Sequence, residues 1–140
     1  MDYVIDCSIA VAWVLEDESS SEADSWGEAL ARGGSAYAPV IWQLEVANVL
    51  ITAERRKRIT VNEVDRIQSQ LEALPIVVES SLDLSQRRAI VGLARDHELS
   101  SYDAAYLETS LRRKLPLATL DDRLKQAARE TGVAVALSGI

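Results

Sequence analysis

Four carboxylates in this chain sit where their neighbours are apolar. Asp6 follows the short hydrophobic run Tyr3-Val4-Ile5, with Ser8 two residues on and an apolar stretch at residues 9–15 behind it. Glu45 is the only charge in residues 40–50, and Asn48 lies three positions later, on the same face of a helix. Asp103 is the only charge in residues 100–107. Asp121 comes one residue after the run Leu117-Ala118-Thr119. A charge buried without a partner is expensive. Two carboxylates ~4 Å apart repel by ~4 kcal/mol at an effective dielectric of ~20. Acids gathered into one crevice therefore either keep protons or hold a cation. The candidate ligands are all oxygens, with no His or Cys among them, and that donor set suits a hard ion, Mg²⁺ or Mn²⁺.

Each acid taken alone also has a plain structural reading. Asp103 fits the third position of a capping box opened by Ser100, Asp121 fits a helix N-cap, and Thr119-x-x-Asp122 is itself box-like. Ser8 fits a cap for the helix after the first strand. Glu45 is harder to explain this way, because it reads as about two turns into its helix, and Asp6 is harder still at a strand end.

The elements that must position these residues follow from periodicity. Short strands are expected at Asp2–Asp6, Ala36–Ala38, Pro75–Glu79, Leu117–Thr119 and Val133–Leu137. Helical patterns fill the gaps: the apolar stretch after Asp6, Ser19–Arg32 stopped by Gly33-Gly34, and Val40–Arg58 with Pro39 at its start. Thr60-Val61-Asn62-Glu63 is a capping box opening a helix to Leu74; helices at 83–97, 101–114 and Asp121–Thr131 complete the set. Strands alternating with helices imply an α/β fold, a parallel sheet covered by helices on both faces. Ligands of such folds collect beyond the carboxyl ends of the strands, where Asp6 and Asp121 both fall.

A chain of 140 residues is expected to form one domain, residues 1–140. No apolar stretch approaches a membrane span, and Asp2 and Asp6 spoil the basic start of a secretory signal, so a cytoplasmic protein is expected. The single cysteine, Cys7, allows no internal disulfide and reads as a small buried hydrophobe. The single His97, in a charged string near a helix end, reads as a surface residue, and no zinc site can be assembled. The net charge of −7 taken alone argues against nucleic acid, but basic residues cluster at Arg55–Arg58, Arg87-Arg88 and Arg112-Arg113-Lys114, as solvated helix ends or as an RNA path.

Taken in order, Val4-Ile5-Asp6-x-Ser8, Glu45-x-x-Asn48-Val49-Leu50, Ser101-Tyr102-Asp103-Ala104-Ala105-Tyr106-Leu107 and Leu117-Ala118-Thr119-Leu120-Asp121-Asp122-Arg123-Leu124 resemble the PIN domain, specifically the VapC-type toxins of VapBC toxin–antitoxin pairs. The resemblance spans nearly the whole chain. It implies a three-layer α/β/α fold with a central, mostly parallel sheet. It implies a Mg²⁺-dependent endoribonuclease, Mn²⁺ being a possible substitute, in which metal-activated water cuts an RNA phosphodiester to leave a 5′ phosphate and a 3′ hydroxyl. The family's catalytic, metal-holding acids carry over to Asp6, Glu45, Asp103 and Asp121, with Asp122 an alternative at the fourth position. The supporting polar residues carry over to Ser8, Asn48 and Thr119. The resemblance further implies a homodimer and a VapB-type antitoxin partner, with Trp13, Trp26 and Trp42 as candidates for an apolar contact surface. The alternative is a catalytically silent PIN domain that binds RNA or protein. A haloacid-dehalogenase-type phosphatase would need Asp-x-Asp after the first strand, where this chain has Asp6-Cys7-Ser8.

Overall fold

The computed structural model describes residues 1–137. Strand β1 (Tyr3–Ile5) leads into helices α1 (Cys7–Val14) and α2 (Ser21–Ala31), with a 3₁₀ turn at Glu16–Glu18 between them. Strand β2 (Ala36–Ala38) is followed by α3 (Trp42–Arg55) and α4 (Val61–Glu72). Strand β3 (Ile76–Val78) is followed by the hairpin of α5 (Leu84–His97) and α6 (Ser101–Arg113), then β4 (Leu117–Ala118) and α7 (Asp122–Glu130).

The four strands form one sheet in the order β3-β2-β1-β4, with every pairing parallel. The chain moves outward from β1 to β3 and then crosses back to place β4 on the other side of β1. Right-handed crossovers in opposite directions put α1–α4 on one face and α5–α6 on the other, giving three layers. Accordingly α1 packs on α2 and α3, while α6 lies across β1, β2 and β4 and carries α5 and α7. The reversal of direction falls beside the carboxyl end of β1, where a doubly wound sheet opens a crevice.

Because both faces of the sheet are covered, β1 has no polar side: Tyr3, Val4 and Ile5 are fully buried. The Tyr3 hydroxyl stays paired by donating to the Trp26 carbonyl at 2.8 Å. Trp26 and Trp42 are buried, and Trp13 is half-buried with its indole N–H on the Ala23 carbonyl at 2.7 Å. None of the three tryptophans is therefore an exposed contact residue; the exposed large apolar side chains include Leu44, Val61 and Tyr102 instead. The turn after α2 needs its glycines: Gly33 has φ 101°, and a Cβ on Gly34 would lie 2.1 Å from the Met1 carbonyl oxygen.

The Thr60 capping box forms with both reciprocal bonds at 3.1 Å. Three expectations are corrected. Val133–Leu137 is not a strand: a single bond, Leu117 N–H to the Ala134 carbonyl at 2.9 Å, ties it to the edge of β4, and no ladder follows. Helix α3 starts at Trp42, because Pro39–Ile41 close a turn that ends with Trp42 N–H on the Pro39 carbonyl, so Glu45 lies in the first turn and not the second. Helix α1 is capped by Asp6 and not by Ser8. Among the described residues, no helix is long and apolar enough to cross a membrane.

Candidate active site

The site grows from the end of β1. The strand is held in the sheet centre, and Asp6 N–H continues the ladder to the Ala118 carbonyl at 3.1 Å. Extended backbone at Asp6 (φ −100°, ψ 174°) then lets its side chain turn back as the N-cap of α1. Its Oδ1 accepts from Ser8 Oγ at 2.6 Å and from Ile9 N–H at 3.4 Å, and its Oδ2 accepts from the Thr119 hydroxyl. Both hydroxyls are themselves pinned. Ser8 Oγ accepts Leu120 N–H at 2.9 Å, and Thr119 Oγ1 accepts Asp121 N–H at 3.0 Å. Ser8 and Thr119 thus bolt the turn after β1 to the turn after β4. Asp6 is 7% exposed, and burial pushes its carboxyl up to about 6 against the opposing Ser8, Thr119 and backbone hydrogen bonds.

The other three acids also stand at helix starts. Glu45, half-buried in the first turn of α3, accepts from the Tyr106 hydroxyl through Oε1. Burial raises its carboxyl, Tyr106 opposes that, and the Asp103 charge adds to it. Asp103, half-buried in the first turn of α6, has its N–H capped by Ser100 Oγ at 3.1 Å. Its carboxyl is raised by burial and by the Asp121 charge, with Ser100 and the Arg123 guanidinium opposing. Asp121 is the exposed N-cap of α7, accepting Leu124 N–H at 2.8 Å. Asp122 is exposed in the turn that follows, while Asp121 is the acid whose charge reaches Asp103. The couplings run Glu45–Asp103–Asp121, and Cys7 feels both Glu45 and Asp6. Asp6, Glu45 and Asp121 follow the carboxyl ends of the parallel strands β1, β2 and β4, and the Tyr106–Glu45 bond brings the start of α6, with Asp103, to the same edge of the sheet.

The helix starts matter electrostatically. Each N-terminus carries the positive end of a macrodipole, and α1, α3, α6 and α7 direct theirs to this edge. Among the described residues, no three acidic, His or Cys side chains close into a ready-made metal cage. The donor chemistry nonetheless fits a divalent ion: the groups are carboxylate oxygens, and three of them have acidities weakened by burial, with like charge adding for Glu45 and Asp103. Asp6, Glu45, Asp103 and Asp121 are the residues that would hold such an ion.

The remaining sequence candidates divide. Asn48 is exposed and lines the same cavity as Glu45, but no hydrogen bond ties it to an acid among the described residues. Cys7 is half-buried against the core, and burial, then the Glu45 and Asp6 charges, push its thiol up to about 12, so it stays protonated. His97 is half-buried and pairs with Glu130 at 3.2 Å. Arg112 and Arg113 are engaged by their own chain. Arg112 grips Glu79 at 2.6 Å and Glu108 at 2.8 Å, while Arg113 bonds Glu79 at 2.8 Å and stacks over the Tyr37 ring at 4.3 Å. They brace α6 against the sheet and are not free for an RNA path. Sequence reasoning missed Tyr106, whose ring is buried while its hydroxyl holds Glu45. Its signal was the spacing Asp103-x-x-Tyr106, which puts an acid and a phenol on one helix face.

Solved structures share the fold, and three of them illustrate the likeness. VapBC2 from Rickettsia felis, bound to a DNA fragment from its promoter, has a TM-score of 0.69 at 11% identity, over 96% of this chain and 97% of that one. A toxin–antitoxin complex from Klebsiella pneumoniae has a TM-score of 0.67 at 17% identity, over 99% of each chain. FitAcB from Neisseria gonorrhoeae has a TM-score of 0.65 at 17% identity, over 98% of this chain and 97% of that one. At these identities the likeness is one of fold. A search of curated proteins found no match. The family model of the PIN domain matches residues 3–130, a span that begins at β1 and ends with α7 and so takes in all four acids. PIN domains are generally nucleases and typically use divalent metals. A parallel sheet whose carboxyl edge gathers acids from four helix starts, matched across that whole span, makes this chain a member of the PIN domain family.

Proposed function

We propose that this chain is a Mg²⁺-dependent endoribonuclease, the toxin of a type II toxin–antitoxin pair. The observation that carries the reading is Asp6: a carboxylate 7% exposed, fixed by Ser8 and Thr119, with three further acids on the same edge. A divalent ion bound there supplies an acidified water and neutralises charge developing on a phosphodiester. The chain's own residues set the geometry. Ser8 and Thr119 fix both oxygens of Asp6, and Tyr106 fixes one oxygen of Glu45. Products with a 5′ phosphate and a 3′ hydroxyl are expected.

The toxin part of the reading is supported by fold neighbours that are toxin–antitoxin complexes. A VapB-type antitoxin, a homodimer and a cytoplasmic location belong to the same reading. The test is incubation of purified, antitoxin-free protein with total RNA in Mg²⁺, Mn²⁺ or EDTA, with Asp103→Asn alongside and the new ends mapped. Metal-dependent cuts with 5′ phosphates, absent from the variant, are expected. Cuts that persist in EDTA would overturn the metal assignment. RNA binding without turnover would leave a binding module in its place.

A further inference from the structure

Beside the acids lies a cavity of about 480 Å³. Its walls come from Ile41 just before α3, from Leu44, Asn48 and Val49 of α3, from Cys7 at the start of α1 and from Tyr102 at the start of α6, and it shares Glu45 with the acidic site. The volume falls in the roughly 300–1,000 Å³ range of small-molecule sites. Leu44 is 68% exposed and Tyr102 57%, so an aromatic and an aliphatic face stand open to solvent next to an exposed amide, Asn48.

We infer that this cavity seats one unpaired nucleobase of the RNA, next to the phosphodiester held at the acids. The inference rests on the nuclease reading above and goes further, to what the enzyme selects. Among the described residues no Lys or Arg lines the cavity and Glu45 forms one wall, so the cavity favours an uncharged group over a phosphate. A base is planar and uncharged. Its face matches the Tyr102 ring and the Leu44 side chain, and its edge matches the Asn48 amide, which both donates and accepts. A nucleotide joined to a phosphodiester at Asp6 and Asp103 is tethered within reach of the shared Glu45 wall. Stacking of a base on an aromatic side chain tolerates any base, so selectivity falls to Asn48.

The test uses Tyr102→Ala, Tyr102→Phe and Asn48→Ala, all at exposed positions. Binding of a fluorescent single-stranded RNA 12-mer of mixed sequence is followed by anisotropy in Mg²⁺ on the Asp103→Asn background, and cleavage of a randomised RNA pool by the otherwise unchanged variants is sequenced in Mg²⁺. Tyr102→Ala should weaken binding roughly 5- to 100-fold, and Tyr102→Phe should stay within about 2-fold of the parent. Asn48→Ala should flatten base preference at one position flanking the cut. If the parent binds and cuts RNA and Tyr102→Ala does the same equally well, the inference fails and the nuclease reading stands. If the parent neither binds nor cuts RNA, the nuclease reading itself fails. A Tyr102→Ala variant that changes sedimentation from dimer to monomer while keeping RNA affinity would assign this face to a second copy of the chain and overturn the inference.

Discussion

Asp6→Asn should stabilise the metal-free protein while abolishing the proposed RNA cleavage, and the stabilisation should depend on pH. The folded chain holds the Asp6 proton more tightly than the unfolded chain, because burial raises the carboxyl from 3.8 to about 6. The folded state thus binds more protons in that window, and stability falls as pH rises through it. The penalty is absent below the unfolded value and complete above the folded one. Worked through, it is about 1 kcal/mol at about pH 4.5 and about 3 kcal/mol at about pH 8. Asparagine keeps an acceptor for Ile9 N–H and Ser8 but turns its amide NH₂ toward the Thr119 hydroxyl, which must stop donating. That mismatch costs about 1 kcal/mol at either pH. The variant should therefore match the parent at the lower pH and exceed it by about 2 kcal/mol at the higher. For 140 residues that is a rise of about 7 °C in Tm.

Thermal and urea unfolding in EDTA at the two pH values measures this directly. The informative quantity is the change in the parent–variant difference between them, in which the amide mismatch cancels. Adding Mg²⁺ at the higher pH should reverse the order, since an ion that binds only the folded parent stabilises it by mass action. A parent–variant difference that is the same at both pH values would refute the reasoning: Asp6 would then not be a desolvated carboxylate.

Three further outcomes follow from the same geometry. Tyr106→Phe removes the Glu45 hydrogen bond and keeps the buried ring, so calorimetry should show Mn²⁺ affinity down about 10- to 100-fold with stability changed by less than about 1 kcal/mol. Thr119→Val deletes both the donor to Asp6 and the acceptor for Asp121 N–H, and should cost about 1–3 kcal/mol in urea unfolding as well as activity. Glu79→Gln leaves Arg112 and Arg113 without their shared carboxylate, which is only 9% exposed; discounted for the partly exposed guanidiniums, the loss is about 2 kcal/mol. Burial raises the Glu79 carboxyl, and the two arginines together more than offset this and hold it low. Its contribution is therefore present above the ordinary carboxylate range and fades as pH falls through the folded value, and the Glu79→Gln loss should shrink with it.

What the sequence made legible were the residues whose surroundings contradicted them. Asp6 and Glu45 are conspicuous because a core strand and an apolar helix face give a charge no ordinary reason to be there. What it hid were the partners. The hydroxyl that holds Glu45 lies 61 residues away on another helix, and the carboxylate that holds Arg112 lies 33 residues upstream at a strand end. No period in a sequence records such pairs. Paired arginines at a helix end look solvated until Glu79 is brought to them by the fold. The apolar residues at 133–137 look like a strand, but a strand needs a neighbour to continue the ladder, and among the described residues one bond, from Leu117 N–H, joins this segment to the sheet. Pro39 suits a helix start by its fixed φ, yet it begins a turn, and Glu45 moves from the second turn to the first.

That last shift removes an opposition in the sequence reading. Capping and convergence stood there as rival explanations for the acids. In a parallel sheet α1, α3 and α7 follow the carboxyl ends of β1, β2 and β4 and begin at that edge, and α6 also begins there because it must run back to feed β4. An acid at such a helix start is capped or dipole-stabilised and is also delivered to the crevice. Asp6 and Asp121 cap their helices through one oxygen each, while Glu45 and Asp103 lie in first turns. Four helix N-termini worth about +0.5 charge apiece offset roughly half of four carboxylates. The remaining negative charge is about two, which is the charge of a single divalent ion. The fold can thus hold these acids together without metal, at the weakened acidities of Asp6, Glu45 and Asp103, and the proposed function has a divalent ion supply the balancing charge.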